Sequence, residues 1–389
     1  MTKTKVMTGK QRFEAILKHK RPDKMPLMIP TVACTVASEI LGRPAHTGAD
    51  SLHFAEELAL FQGEAAHAEF EEKLIQDTAA LAKALRVDII RETWRMRGKP
   101  TKRLDENTLL FGDENGGHTI KRFFPQTQSY GIIKNTNPPE TADDIINQIR
   151  NTINQTPSKP TKETSLNSIS GSRWLFDLLK HENLGEIVPG FGVPFTMYTP
   201  AWLEAMALEP ALLREYLLWC VSGAIAHMEH LADAGYVFFN GGGDLAGNTG
   251  PLFSPALCRQ ILTDALTQYS NACGHKNVTF CYRTDGDIWK IFNELLVLPG
   301  VQAFGEVDRD ASMTVGAIRA KHPNLVILGN MSSALLRLGT PQQVREDQRK
   351  QLEESQGLNF IPGPSNAIVH GTPVENIFAM IEEIERFVP

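Results

Sequence analysis

The sequence has little of what usually assigns a chain to a class at sight. Its five cysteines (Cys34, Cys220, Cys258, Cys273 and Cys281) are odd in number, and none is spaced as CxxC. That argues against a disulfide framework or a zinc ribbon and fits a reducing cytoplasm. No apolar run reaches the 18 residues of a membrane span. The opening MTKTKVMTGKQRF has basic residues without the apolar core of a signal peptide. There is no GxxxxGK[ST], and no GxGxxG opens a helix after the first strand, so phosphate-loop chemistry is not expected. No His/Cys set has metal-ligand spacing. Basic excess is also missing: the net charge is -6. This argues against general nucleic-acid binding, but not against small anions, which need only local positive charge.

What is there is ordinary globular composition, 42% hydrophobic and 22% charged over 389 residues, with a regular rhythm. Residues 9 to 21 read as an amphipathic helix carrying Phe13, Ile16 and Leu17 on one face, and residues 35 to 86 as mostly helical. Short apolar runs occur at 26–34 and 87–90. Thr141 is a plausible N-cap ahead of acidic residues 143 and 144. Strand-like runs at 187–198, 236–240, 278–282, 301–307, 325–330 and 358–363 then alternate with helix-like stretches. Such alternation predicts a parallel sheet, and with the two early runs the count is about eight, the number of a (β/α)8 TIM barrel. That fold takes ~250 residues, leaving on the order of 140 for an N-terminal helical region (1–86) and a β-hairpin insertion (about 99–135) signalled by DENGG. The expectation is one barrel domain over 1–389. The polar run 153–170 reads as a surface connection.

The chemistry should sit at the carboxyl ends of the strands. The strand VTFCY (278–282) exits into Arg283, Asp285 and Asp287. Other exits carry Asn240 and Asp244, Glu306 and Asp308, Asn330 with Ser332 and Ser333, and Ser365 and Asn366 with His370 nearby. Arg91 and Arg95 join from the early strand. The candidate catalytic residues are Asp285, Arg283 and Glu306. Candidate substrate contacts are Asn240, Asp244, Tyr282, Arg91, Asp308, Asn330 and Asn366. Arg283 could equally serve only to neutralise Asp285, and Phe238, Phe239, Tyr282 and Trp289 read more simply as core. Crowded carboxylates raise one another's pKa, so one could stay protonated and act as an acid. The glycines of GGGDLAGNTGP (241–251) suit close approach of a ligand or tight backbone geometry. His227 and His230 fall on a predicted helix away from the exits.

Several motifs together resemble the uroporphyrinogen decarboxylase superfamily. They are NGGGDLAGNTGPLFSPALCRQIL, RTDGDIW, GTPQQVREDQRK, GPSNAIVHGTPVENI and the opening MTGKQRFEAILKHKRPDKMP. The resemblance spans essentially the whole chain, most specifically 236–290 and 360–377, and implies a (β/α)8 barrel. Where true uroporphyrinogen decarboxylases carry an RQAGRYLP-type stretch, this chain reads PLMIPTVACTVASEILG, without arginine. The chain is more similar to the corrinoid-dependent methyltransferase branch. That resemblance implies methyl transfer between a small methylated substrate (methoxy or methylamine type) and a corrinoid (cobalamin-type) cofactor on a partner protein, with monomers and homodimers both known. Some members of the branch bind zinc through H-x-C and a later cysteine. Here those positions hold Arg283, Asp285 and Asn366, so the usual zinc pattern is absent. A metal, if held, would fall to Asp285, Glu306 and His370, with Asp244 beside them. The rival expectations are a cofactor-free decarboxylase or lyase, with Arg91, Arg95 and Arg283 holding carboxylates and Asp285 giving a proton, and a non-catalytic binding barrel.

Overall fold

A computed structural model describes residues 6–157, 159–195 and 199–389 of the protein. Strand β1 (Ile89–Arg91) follows four helices: α1 (Gly9–Leu17), α2 (Cys34–Leu41), α3 (Ala49–Gln62) and α4 (Glu64–Ala84). Strands β2 (Lys102–Asp105), β3 (Thr108–Gly112), β4 (His118–Phe124) and β5 (Ser129–Asn135) come next. They are followed by β6 (Gly185–Gly192), β7 (Phe238–Gly242), β8 (Ala246–Gly247) and β9 (Gly250–Pro251). The last strands are β10 (Thr279–Arg283), β11 (Val301–Gly305), β12 (Val326–Leu328) and β13 (Phe360–Ile361). Seven of these form one parallel sheet in the order β1-β6-β7-β10-β11-β12-β13. Helices lie between successive strands, so the arrangement is a curled α/β half-barrel of TIM-barrel type. The run expected as a strand at 26–34 is reduced to single bridges: Met28 pairs with Ile89 and Val32 with Ile368. Met28 also donates its N–H to the Pro362 carbonyl at 3.2 Å.

The strands read as expected because their side chains face two apolar layers. On β10, Phe280 and Tyr282 point toward the outer helices, where Phe280 meets Tyr269 edge-on at 4.9 Å. Cys281 and Arg283 alternate to the opposite face. Helix α1 closes the end of the sheet away from the strand exits. It starts with a capping box, Thr8 with Gln11. Phe13 lies against Gly185, where a Cβ would sit 2.5 Å from its ring, and packs tilted against Phe238 with ring centres 5.0 Å apart. Burial of each phenyl ring stabilises by roughly 2–3 kcal/mol. The buried Arg12 spans this floor, bonding Asp23 at 2.6 Å and Asp88 at 2.8 Å.

The DENGG region differs from a lone hairpin. Its two strands, β3 and β4, pair as expected, but β2 and β5 extend them into a four-stranded antiparallel sheet. A lone hairpin is marginal, and the added strands supply a face to bury. That face docks on α3: Phe54 stacks on Phe123 at 5.0 Å, and buried Glu57 accepts from Lys121 at 2.7 Å and from the Tyr130 hydroxyl at 2.6 Å. The polar run 153–170 is also not all connection, since Lys162–Ser168 is a short helix capped by Thr161. Thr141 caps the helix Ala142–Ile153 as expected.

Candidate active site at the strand exits

Two loops build the centre of the site by lying directly on each other. The loop after β7 crosses the exit of β10. Gly243 donates to the Arg283 carbonyl at 3.1 Å, and Asp287 to the Gly247 carbonyl at 3.0 Å. A Cβ on Gly242 would stand 2.2 Å from the Arg283 oxygen, and one on Gly286 would stand 2.5 Å from that of Ala246. Both residues have positive φ. The glycine-rich stretch therefore serves backbone-to-backbone packing. Thr284, fully buried, accepts from the Leu245 N–H at 3.2 Å and locks the two loops together.

This packing brings Asp244, Asp285 and Glu306 together, with one oxygen of each within 4.8 Å of the others. Glu306 holds φ +59, a left-handed conformation that is strained for a residue with a side chain. Arg283 forms an ion pair with Glu306. Asn366 donates its amide to Asp285 Oδ2 at 2.8 Å. Burial is the main cause that lifts Asp285, followed by the charges of Glu306, Asp244 and Asp308; Arg283 only partly opposes them. The result is a carboxyl pushed up to about 7. Arg283 is the reverse case: burial works against its charge, but Glu306 outweighs that and holds its pKa above the usual value.

Below the triad a narrow cavity is lined by Arg91, Asn240, Arg283, Glu306 and Ser365, with Met28, Pro30 and Leu328 among its apolar walls. Arg91 is reached by burial, which pulls its pKa down. Ser365 was one of several polar exit residues in the sequence, with nothing to single it out. Its place follows from the short β13, which ends early and turns GPS inward.

Other candidates go elsewhere. Tyr282 is fully buried on the helix side of β10, because strand alternation opposes it to Arg283. Asn330 is fully buried and is a clip, not a substrate contact. Its amide donates to the Val307 and Met313 carbonyls at 3.1 and 2.7 Å, and its Oδ1 accepts from Val315 at 3.3 Å. Asp308 lies near enough to act electrostatically on Asp285, but its carboxylate caps the 3-10 turn at Arg309–Ala311. Asp287 accepts from the Trp289 N–H, and Ser332 caps the helix Ser333–Leu338. His370 is bonded to Thr35 at 2.9 Å and stands outside the oxygen cluster, where Asp244 takes its place. Arg95 is enclosed by Glu56, Glu71 and Glu92, away from the exits. His230 bonds the Pro160 carbonyl at 3.1 Å, a packing role.

The clustered donors do not suit the thiolate zinc centre of some relatives. All three are hard carboxylate oxygens, which favour magnesium, calcium or manganese over a soft site. One is already bound to Arg283, and another holds a proton near neutrality. The neighbouring thiol of Cys281 is pushed well up by burial and the charge of Glu306, so it offers no thiolate.

A family model for uroporphyrinogen decarboxylase (URO-D) matches residues 190–387. Among curated proteins none matches the chain. Among solved structures, a methyltransferase from Methanosarcina mazei is similar with a TM-score of 0.63 at 15% identity, covering 98% of this chain and 100% of that one. A sugar phosphate isomerase/epimerase from Parabacteroides distasonis aligns at a TM-score of 0.35 and 10% identity over 57% of this chain and 83% of its own. That likeness is too loose to carry an argument.

Proposed function

Because the chain belongs to the uroporphyrinogen decarboxylase family, we propose that it is a methyltransferase moving a methyl group from a small methoxy or methylamine-type substrate to a corrinoid on a partner protein. The observation that carries this reading is Asp285, a carboxyl held to about 7 beside a fixed cation. A methyl ether has a poor leaving group, and so needs an acid for its oxygen at neutral pH. The methyl carbon would leave without the bonding pair, and the chemistry a reduced corrinoid would supply is the electron pair for the new bond. The oxygen keeps the old pair and takes the Asp285 proton. Arg283, fixed by Glu306, faces the developing charge and needs no rearrangement to stabilise it. Asn366 orients the Asp285 carboxyl through Oδ2. We also read Met28 as the eighth strand that closes a (β/α)8 barrel over a single domain, supported by its contacts with Ile89 and Pro362. No described helix is long and apolar enough to cross a membrane, and the five free cysteines suit the cytoplasm.

The test is methyl transfer from a 13C-methoxy compound in the presence of a reduced corrinoid protein, followed by NMR. Label appearing on the corrinoid supports the reading. Loss of carbon dioxide from a carboxylic acid without corrinoid would replace it with the decarboxylase reading, which the cation Arg91 favours. Ligand binding without turnover in either assay would leave a binding barrel.

A further inference from the structure

The cavity under the triad is lined by three polar groups with little or no hydrogen bonding among the described residues. Arg91 ends β1 with its guanidinium toward the space shared by Asn240, Arg283, Glu306 and Ser365. Among the described residues no carboxylate lies within ion-pair distance of it, and its sole hydrogen bond is a long one, 3.4 Å, to the Pro30 carbonyl. The Asn240 amide and the Ser365 hydroxyl likewise have no hydrogen-bond partner among the described residues. Scarcity of acids does not explain this. Four residues along, Arg95 is enclosed by three glutamates, and Arg97 reaches two of them. An arginine cannot discharge by losing its proton, and Arg91, taken from water with only the charge of Glu306 nearby and beyond ion-pair distance, gains from the arrival of an anion.

We propose that Arg91, with Asn240 and Ser365, forms a receptor for a carboxylate group on the substrate. This rests on the methyl-transfer reading only for the rest of the substrate, making it a small methylated carboxylic acid. A planar monoanion matches the two-pronged face of a guanidinium. Asn240 and Ser365 supply neutral donors for its remaining lone pairs. A phosphate, carrying up to two charges, would face Glu306 across the same space with twice the repulsion of a monoanion and is disfavoured. The carboxylate is thereby anchored on the floor of the cavity. The remainder of the molecule then points toward Asp285, Arg283 and Asn366 at its mouth.

The experiment measures equilibrium binding by calorimetry and thermal melting, without corrinoid or turnover. The probes are methoxyacetate and 2-methoxybenzoate, their neutral amides, and inorganic phosphate. The wild-type protein is expected to bind each carboxylate at least tenfold more tightly than its amide, and more tightly than phosphate. In Arg91→Gln that preference should disappear, in Arg91→Lys it should be partly retained, and in Ser365→Ala it should fall severalfold. Equal binding of acid and amide by the wild type, absence of carboxylate binding, stronger binding of phosphate, or an undiminished preference in Arg91→Gln would each overturn the assignment. Should Arg91→Gln fail to fold, the Ser365→Ala result and the wild-type acid-to-amide ratio decide. A carboxylate preference without methyl transfer would leave this receptor standing and remove the methyltransferase reading; the opposite result would do the reverse.

Discussion

Replacing Asp285 with asparagine separates the proton it holds from everything else it does. In the folded protein its carboxyl is raised from the ordinary 3.8 to about 7. In the unfolded chain it returns to the ordinary value. Below about pH 4 both states are protonated and the group contributes nothing. Between about pH 4 and pH 7 the folded state keeps a proton that the unfolded state has released, so stability falls as pH rises. Above about pH 7 both are ionised and the full cost is present. The interval from 3.8 to about 7 corresponds to about 4 kcal/mol at most, and ~2–3 kcal/mol after allowance for the partial solvent access of this site. Asp285→Asn cannot ionise and keeps a similar shape. Urea melts should therefore show the two proteins nearly equal at about pH 3.5 and the variant more stable by ~2–3 kcal/mol at about pH 8. Activity should move the other way. The variant should lose ~10²–10⁴-fold in kcat/KM, and the wild-type profile should fall as pH rises through about 7. Parallel stability curves for the two proteins across this range would refute the raised carboxyl and, with it, the acid role.

Arg283→Met removes a cation that opposes the rise of Asp285, so the descending limb of the pH–rate profile should move to higher pH while kcat drops ~10²–10³-fold; an unmoved limb would show that the two groups are uncoupled. Asn330→Ala breaks a buried clip with bonds to three backbone groups and should cost about 2–4 kcal/mol in urea melts, with the affinity of the folded fraction for substrate unchanged. Cys281→Ala should leave kcat/KM within about threefold, since the thiol is protonated and lies outside the acid pair; a larger loss would point to sulfur chemistry. Dialysis against a chelator should leave Tm within about 1 °C, and a clear fall would show that the carboxylate cluster holds a stabilising cation.

The parallel strands from β7 onward were legible because each is a short apolar run with a polar exit. Val278 to Tyr282 was displaced by a single position from the strand that forms, Thr279–Arg283. The same pattern marked Arg283, Asp285 and Glu306, which do meet. Other site residues were misplaced for a physical reason. A polar residue just past a strand can face the cavity or be consumed by the loop that turns there, and sequence does not say which. Asn330 and Asp308 went to the loop, while Asn240 and Arg91 faced the cavity. Tyr282 follows strand alternation, but the phase is known only once Arg283 is placed. Residues 200–233, helix-like in composition between two of the strand runs, form two helices, Pro200–Leu208 and Pro210–Asp233, broken at a proline whose effect the helical composition on either side masks. The outer strands β2 and β5 are mostly polar and exposed, so no hydrophobic alternation announced them.

The pairing of Met28 with Pro362 bears on how the protein is made. Those residues are about 330 positions apart, and His19 with Asn359, Val32 with Ile368 and Thr35 with His370 are tied over similar spans. On a ribosome, the early stretch emerges long before its partners exist. Helix α1 can seat Phe13 on β6 and β7 as these strands appear, but the flank around Met28 stays without its second neighbour until the residues near 362 leave the tunnel. Nascent chain is thus expected to hold an unpaired sheet edge through most of synthesis, at elongation rates on the order of 5–20 residues per second. A chaperone that shields such an edge should matter more to the yield of this protein than to its final stability.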